Sequence, residues 1–141
     1  IEEMRKVWWD NLPLFLRISS TDWLEGGWTP EDSVALARMV KPLGVDLIDC
    51  SSGGIAPGAK IPLGPGYQVP FARKIRHEAG IPTGAVGLIT EATQAESILA
   101  DGSADLILMA RQFLRDPYLP LHAAKELGSE IEWPVQYVRA K

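Results

Sequence analysis

A strand followed by a helix, repeated four times in succession, is the pattern that most limits how this sequence can fold. LFLRIS at 14–19 is an extended apolar segment broken by one arginine. TPEDSVALARMVKPLG at 29–44 then supplies an N-cap in Thr29, proline at the first helical position, an acidic first turn and a closing glycine. The unit recurs as VDLIDC at 45–50, a Gly/Pro-rich stretch from Ser51 to Gly66, and VPFARKIRHEAG at 69–80. That stretch is long enough to be functional rather than connective. A third unit pairs PTGAVGLI at 82–89 with TEATQAESILADG at 90–102, and a fourth pairs ADLILM at 104–109 with DPYLPLHAAKELG at 116–128. Four βα units in series imply a parallel sheet, and strands as continuously apolar as ADLILM fit a sheet covered on both faces. Ahead of them, Ile1, Met4, Val7 and Trp8 form the stripe of a helix over 1–10 that has no cap, as in a chain cut within a helix.

Two short signals sit at the ends of consecutive predicted strands: TGAVG at 83–87 and MAR at 109–111, the second followed by a one-turn helix candidate, QFLR. This is the arrangement of the phosphate site of a (β/α)8 barrel, where the loops after the last two strands and a short extra helix hold the anion. A complete barrel needs about 250 residues, and the chain has 141. The fold class read from the sequence is therefore α/β, the C-terminal half of a (β/α)8 barrel, as one domain over 1–141 without a linker.

With 46% hydrophobic and 23% charged residues, the chain can bury a core. A net charge of −4 without a Lys/Arg block gives no footprint for nucleic acid or an anionic membrane. No apolar run approaches the roughly 18 residues that span a bilayer, and no signal peptide opens the chain, so a cytoplasmic protein is the expectation. The single cysteine, Cys50 in LIDCSS, reads as a packing residue in a strand rather than a nucleophile.

Arg17 is a charge inside an apolar strand and needs an explanation. It points into the mouth of the barrel, where sites of this fold lie, or it pairs with an acid such as Asp49 on the next strand. In TGAVG, Gly84 and Gly87 remove side chains where a phosphate must approach amide N–H groups, and a following helix capped by Thr90 adds its positive end. A plain strand-to-helix turn reads the same way. Arg111, just after the next strand, shifts the balance, because a guanidinium offers two parallel hydrogen bonds to a phosphate. His77 and His122 lack partners at metal-ligand spacing and read as surface or structural, with no metal site expected. Glu31, Asp32, Glu91 and Glu96 read as solvated faces and dipole complements.

The ordered set LFLRIS, VDLIDCSSGG, PGYQVPFARKIR, TGAVGLIT, ADLILMAR, LRDPY and PVQYVRA resembles the old yellow enzyme family over nearly the whole chain. It is most similar to the bacillary and thermophilic-like ene-reductases, FMN-dependent (β/α)8 barrels that use NAD(P)H. The segment matched is the C-terminal portion, from the helix before the fifth strand onward. The resemblance implies that Arg17 lies at the pyrimidine side of the flavin, where positive charge stabilises electron density accumulating on reduction. It further implies that Ser51, the backbone of Val86 and Gly87, and the Ala110–Arg111 pair hold the FMN phosphate. The family often has Gly-Arg where this chain has Ala110-Arg111, a change a backbone N–H contact survives if φ at Ala110 stays negative. Arg139 matches an arginine that reaches a neighbouring subunit's active site, with a solvated tail residue as the alternative. Tyr67 and Gln68 are assigned to loop structure.

The resemblance places the family's proton-donor tyrosine and substrate-anchoring histidine pair in the first four βα units, so no catalytic residue is expected in this chain. Alone it is expected to be inactive, and to associate with a complementary N-terminal half-barrel polypeptide or with itself, since an open half-barrel exposes strand edges and apolar surface. The assembled enzyme would pass hydride from NAD(P)H through FMN to an alkene activated by a carbonyl or nitro group. Two other readings remain: half of a phosphosugar isomerase or synthase barrel, and a self-associating half-barrel without turnover.

Overall fold

The computed structural model describes residues 1–140. Its elements follow in the order α1 (Glu2–Arg5), β1 (Phe15–Ser19), α2 (Pro30–Val40), β2 (Leu47–Ser51), α3 (Val69–Ala79), β3 (Thr83–Ala85), α4 (Ala92–Ala100), β4 (Leu106–Ile107), α5 (Arg111–Arg115) and α6 (Leu119–Glu126). Short 3₁₀ turns cover Lys41–Leu43 and Val135–Ala140. The strands form one parallel sheet in the order β1-β2-β3-β4. Four successive βα units with sequential strand order are part of a (β/α)8 barrel.

The predicted helix signals act as read. Thr29 and Asp32 close a full capping box ahead of Pro30. Gly44 and Gly80 end their helical segments at φ 94° and 64°. At Gly44 a side chain would also collide with Arg5, whose Nε donates to the Gly44 carbonyl at 3.0 Å.

The amino ends of the strands carry a repeated device. Asp46, just before β2, accepts the Leu14 N–H at 2.7 Å and pairs with Arg5 at 2.8 Å. Asp105, just before β4, accepts the Thr83 N–H at 2.9 Å and pairs with Arg76 at 3.0 Å. Each carboxylate bridges the starts of two neighbouring strands, so register is set at the end opposite the predicted site.

Strand residues alternate between two faces. Ile48, Cys50 and Ala85 are fully buried toward the helices, in a core with Val34, Ala37, Ala72, Ile75 and Ile98. The opposite face carries Phe15, Arg17, Leu47, Asp49, Gly84 and Leu106, by the pairing Phe15↔Leu47, Arg17↔Asp49↔Gly84↔Leu106. Phe15 is 52% exposed and Leu106 42%. The expectation of a sheet covered on both faces is corrected on this point: the helices lie on one face only.

Three other expectations change. The helix over 1–10 is a single turn, because Met4, Val7 and Trp8 find nothing to pack against and stay exposed. The segment 82–89 is extended only over Thr83–Ala85, since Gly87 at φ 120° and Leu88 at φ 51° turn the chain out of the sheet. Thr90 does not cap α4: Glu91 holds that position without a side-chain bond, and the Thr90 N–H donates to Gln94 Oε1 at 3.1 Å.

Candidate functional site

The carboxyl ends of all four strands open onto one cleft of about 450 Å³. Six of the seven residues singled out from the sequence line it: Arg17, Ser51, Val86, Gly87, Ala110 and Arg111. They come from all four βα units, Arg17 and Ser51 from within β1 and β2 and the others from the segments after β3 and β4, and the parallel topology brings them to one end of the sheet. Arg139 lies elsewhere, exposed on the C-terminal 3₁₀ turn.

Arg17 satisfies both readings at once. Its Nη1 donates to Asp49 Oδ2 at 2.8 Å and its Nη2 to Ser51 Oγ at 3.0 Å. The carboxylate is buried, with its side chain 9% exposed, whereas the guanidinium is 58% exposed and faces the cleft. The ion pair therefore orients a cation that remains available. Cys50, between Asp49 and Ser51, points the other way into the core, and burial pushes its thiol up to about 12, with the Asp49 charge adding to the shift. Such a thiol is no nucleophile at neutral pH.

The two glycines of TGAVG do different work. Gly84 is buried in β3, where a Cβ would lie 2.3 Å from Leu108 Cδ1, so its missing side chain makes room for packing. That corrects its assignment to the anion. Gly87 does lie at the cleft, in a conformation that L-residues rarely adopt. Leu88 follows with positive φ as well, a strained backbone for a bulky residue. Among the described residues, neither the Gly87 N–H nor the Leu88 N–H has a hydrogen-bond partner.

Ala110 keeps φ at −111°, so the substitution of alanine for the family's glycine leaves its backbone unstrained. Arg111 opens α5 at the cleft and makes no ion pair among the described residues. One turn later Arg115 lines the same cleft, its Nη1 donating to Gln112 Oε1 at 2.6 Å, while Gln112 Nε2 donates to the Thr90 carbonyl at 3.1 Å. The lining contains three arginines and no carboxylate, since Asp49 lies behind Arg17. Arg115 and Gln112 escaped the sequence reading as site residues, and Tyr67 and Gln68, assigned there to loop structure, line the cleft as well. Arg115 had a signal: it stands four residues after Arg111 in the predicted one-turn helix, hence on the same face.

His77 and His122 stand apart from the cleft, and His122 Nδ1 is paired with Asp116 at 2.6 Å. The described residues contain no cluster of His, Cys, Asp and Glu able to hold a metal ion, and no helix long and apolar enough to cross a membrane.

The four parallel βα units, with an open cationic cleft at the carboxyl ends of the strands, define a segment of a (β/α)8 barrel protein. Residues 1–130 match the NADH:flavin oxidoreductase / NADH oxidase family, and the chain belongs to that family, the old yellow enzymes of the sequence resemblance. It is 55% identical over 139 residues to an NADPH dehydrogenase of Geobacillus thermodenitrificans and 56% identical over 140 residues to one of Halalkalibacterium halodurans. Each alignment covers 99% of this chain and 40% of the relative, so the chain spans about two fifths of their length.

Proposed function

We propose that this chain is the FMN-binding portion of an NAD(P)H-dependent ene-reductase. The observation that best supports this is the convergence on one cleft of Arg17, Ser51, Val86, Gly87, Ala110 and Arg111 from four βα units. The residues fit the cofactor. Arg111, Arg115 and the open Gly87 and Leu88 N–H groups suit a phosphate, and Gly87 leaves no side chain in its way. When bound, FMN supplies hydride transfer between NAD(P)H and an activated carbon–carbon double bond.

The chain's own residues bind and orient. Arg17, fixed by Asp49 and Ser51, holds positive charge where the flavin ring system would gain negative charge on reduction. Arg111 anchors the phosphate end by paired hydrogen bonds. By the family resemblance, protonation and substrate anchoring belong to the βα units that precede this segment in the barrel. The chain by itself accordingly turns over no alkene. The exposed inner face with Phe15 and Leu106, and the open edges of β1 and β4, favour a complementary half-barrel as partner, with a second copy as the alternative.

Arg111→Ala tests the reading. FMN binding should weaken by about 1.5–3 kcal/mol, the range for a hydrogen bond to a charged group, measured by flavin fluorescence titration. Unchanged affinity would remove the phosphate role.

A further inference from the structure

Gln68 joins three loops at the carboxyl ends of the strands, and nothing in the proposed chemistry uses it. Its side chain lines the cleft, yet the residue is only 3% exposed. Its Oε1 accepts from Ser52 Oγ at 2.7 Å, and its Nε2 donates to the Val86 carbonyl at 3.0 Å. Ser52 Oγ in turn accepts from Trp23 Nε1 at 3.0 Å. Trp23 belongs to the connection after β1, Ser52 to that after β2, and Val86 to that after β3. Although Gln68 occupies the N-cap position of α3, its side chain makes no capping bond there. The amide is committed to the loops instead.

The consequence lies in the peptide unit that Gln68 grips. A trans peptide is planar, with its C=O and N–H pointing in opposite directions. Holding the Val86 carbonyl against Gln68 turns the Gly87 N–H away from it. The next peptide is held in the same manner, because the Gly66 N–H donates to the Gly87 carbonyl at 2.9 Å and so directs the Leu88 N–H. Both N–H groups are among those of the cleft that have no partner among the described residues. The loop is also pressed against the amide: a Cβ at Gly87 would lie 2.7 Å from Gln68 Nε2 and 3.0 Å from Tyr67 Cε1. Two successive positive-φ residues, Gly87 and Leu88, are thus kept in place by contacts from the 64–68 segment.

We propose that Gln68 is a positioning residue for anion recognition: it holds the 86–88 loop so that the Gly87 and Leu88 N–H groups face a phosphomonoester in the cleft. The inference rests on the flavin reading above and adds a specific determinant for the phosphate rather than the ring. Gln68 touches the loop and acts through it.

The test compares FMN with riboflavin, the same ring system without the phosphate, as ligands of the flavin-free protein. Gln68→Met keeps side-chain length but offers no hydrogen bond to Val86 or Ser52. The variant should bind FMN roughly tenfold more weakly and riboflavin as the parent does. Ser52→Ala, which leaves the Gln68–Val86 bond in place but removes the bonds from Ser52 to Oε1 and from Trp23 to Ser52, should move FMN affinity in the same direction by less. An equal loss for both ligands, or no loss for FMN, would overturn the proposal. Should thermal melting show Gln68→Met unfolded, Ser52→Ala decides by the same split between ligands. A parent protein that binds both flavins equally well would reject phosphate recognition and leave the flavin reading standing. One that binds neither would reject both.

Discussion

Removing Arg17 and removing its partner are not equivalent changes, because one end of the pair is buried and the other is not. Without the guanidinium, the Asp49 carboxylate stays in the sheet with Oδ2 newly unpaired, beside an Oδ1 that already has no partner among the described residues. Arg17→Ala should therefore cost about 1–3 kcal/mol of stability, while Asp49→Asn, which leaves a solvated cation, should cost less. Chemical denaturation of the two variants would settle the order, and a reversed order would remove Asp49 as the buried member. At Gly87 both φ and space exclude a side chain, so Gly87→Ala should destabilise by about 1–3 kcal/mol and weaken FMN binding together with folding. Arg17 also marks how far a sequence can be read. Its position offered an ion pair or a site residue, and only the register Arg17↔Asp49 reveals that the pair orients the site cation. Gly84 was equally open. A glycine two residues into a strand carries no mark of the Leu108 side chain that fills its space.

At the level of elements, the signals that proved legible are those carried by a few adjacent residues. The capping box of α2 and the glycine stops after α2 and α3 depend on local geometry and are visible in the string. The bonds from Gln68 to the Ser52 side chain and the Val86 carbonyl join residues 16 and 18 apart across loops beside the cleft, which no periodicity encodes. The α2 cap also has a pH signature. Hydrogen bonds from Thr29 hold the Asp32 carboxyl below its ordinary 3.8, so the cap stabilises the fold above about pH 4 and that contribution is lost as pH falls through the lower, folded-state value. Thr29→Ala should lower stability at neutral pH by about 1 kcal/mol. The difference from the parent should shrink in acid, as thermal melts across the acid range would show. A constant difference down to the acid limb would mean that Asp32 plays no part.

On the scale of the whole molecule, the sheet has one face under helices, while the other buries Leu47 and Asp49 at its centre and exposes the outer strands, apolar below and cationic above. Phe15 and Leu106 stand on it, and β1 and β4 each pair with one neighbour only. Parallel strands depend on cover on both sides, so this surface calls for more polypeptide against it. The same requirement separates the seventh singled-out residue from the other six. Arg139 is exposed on the C-terminal turn, near Tyr137, whose ring packs edge-on against Tyr118 at 5.6 Å, and no residue of the cleft holds it. The family resemblance implies a role at a neighbouring copy's site. In the assembled enzyme, Arg139→Ala should then raise the KM for the alkene and leave FMN affinity unchanged, whereas an unaltered KM would make it a solvated tail residue. For the chain on its own, the open face and edges should drive association. Native mass spectrometry should find oligomers of the parent, and Leu106→Lys, which sets a charge on the uncovered face of edge strand β4, should shift them toward monomer. A parent chain that stays monomeric and binds no hydrophobic dye would show that the face tolerates water, and the case for a partner would lose its physical ground.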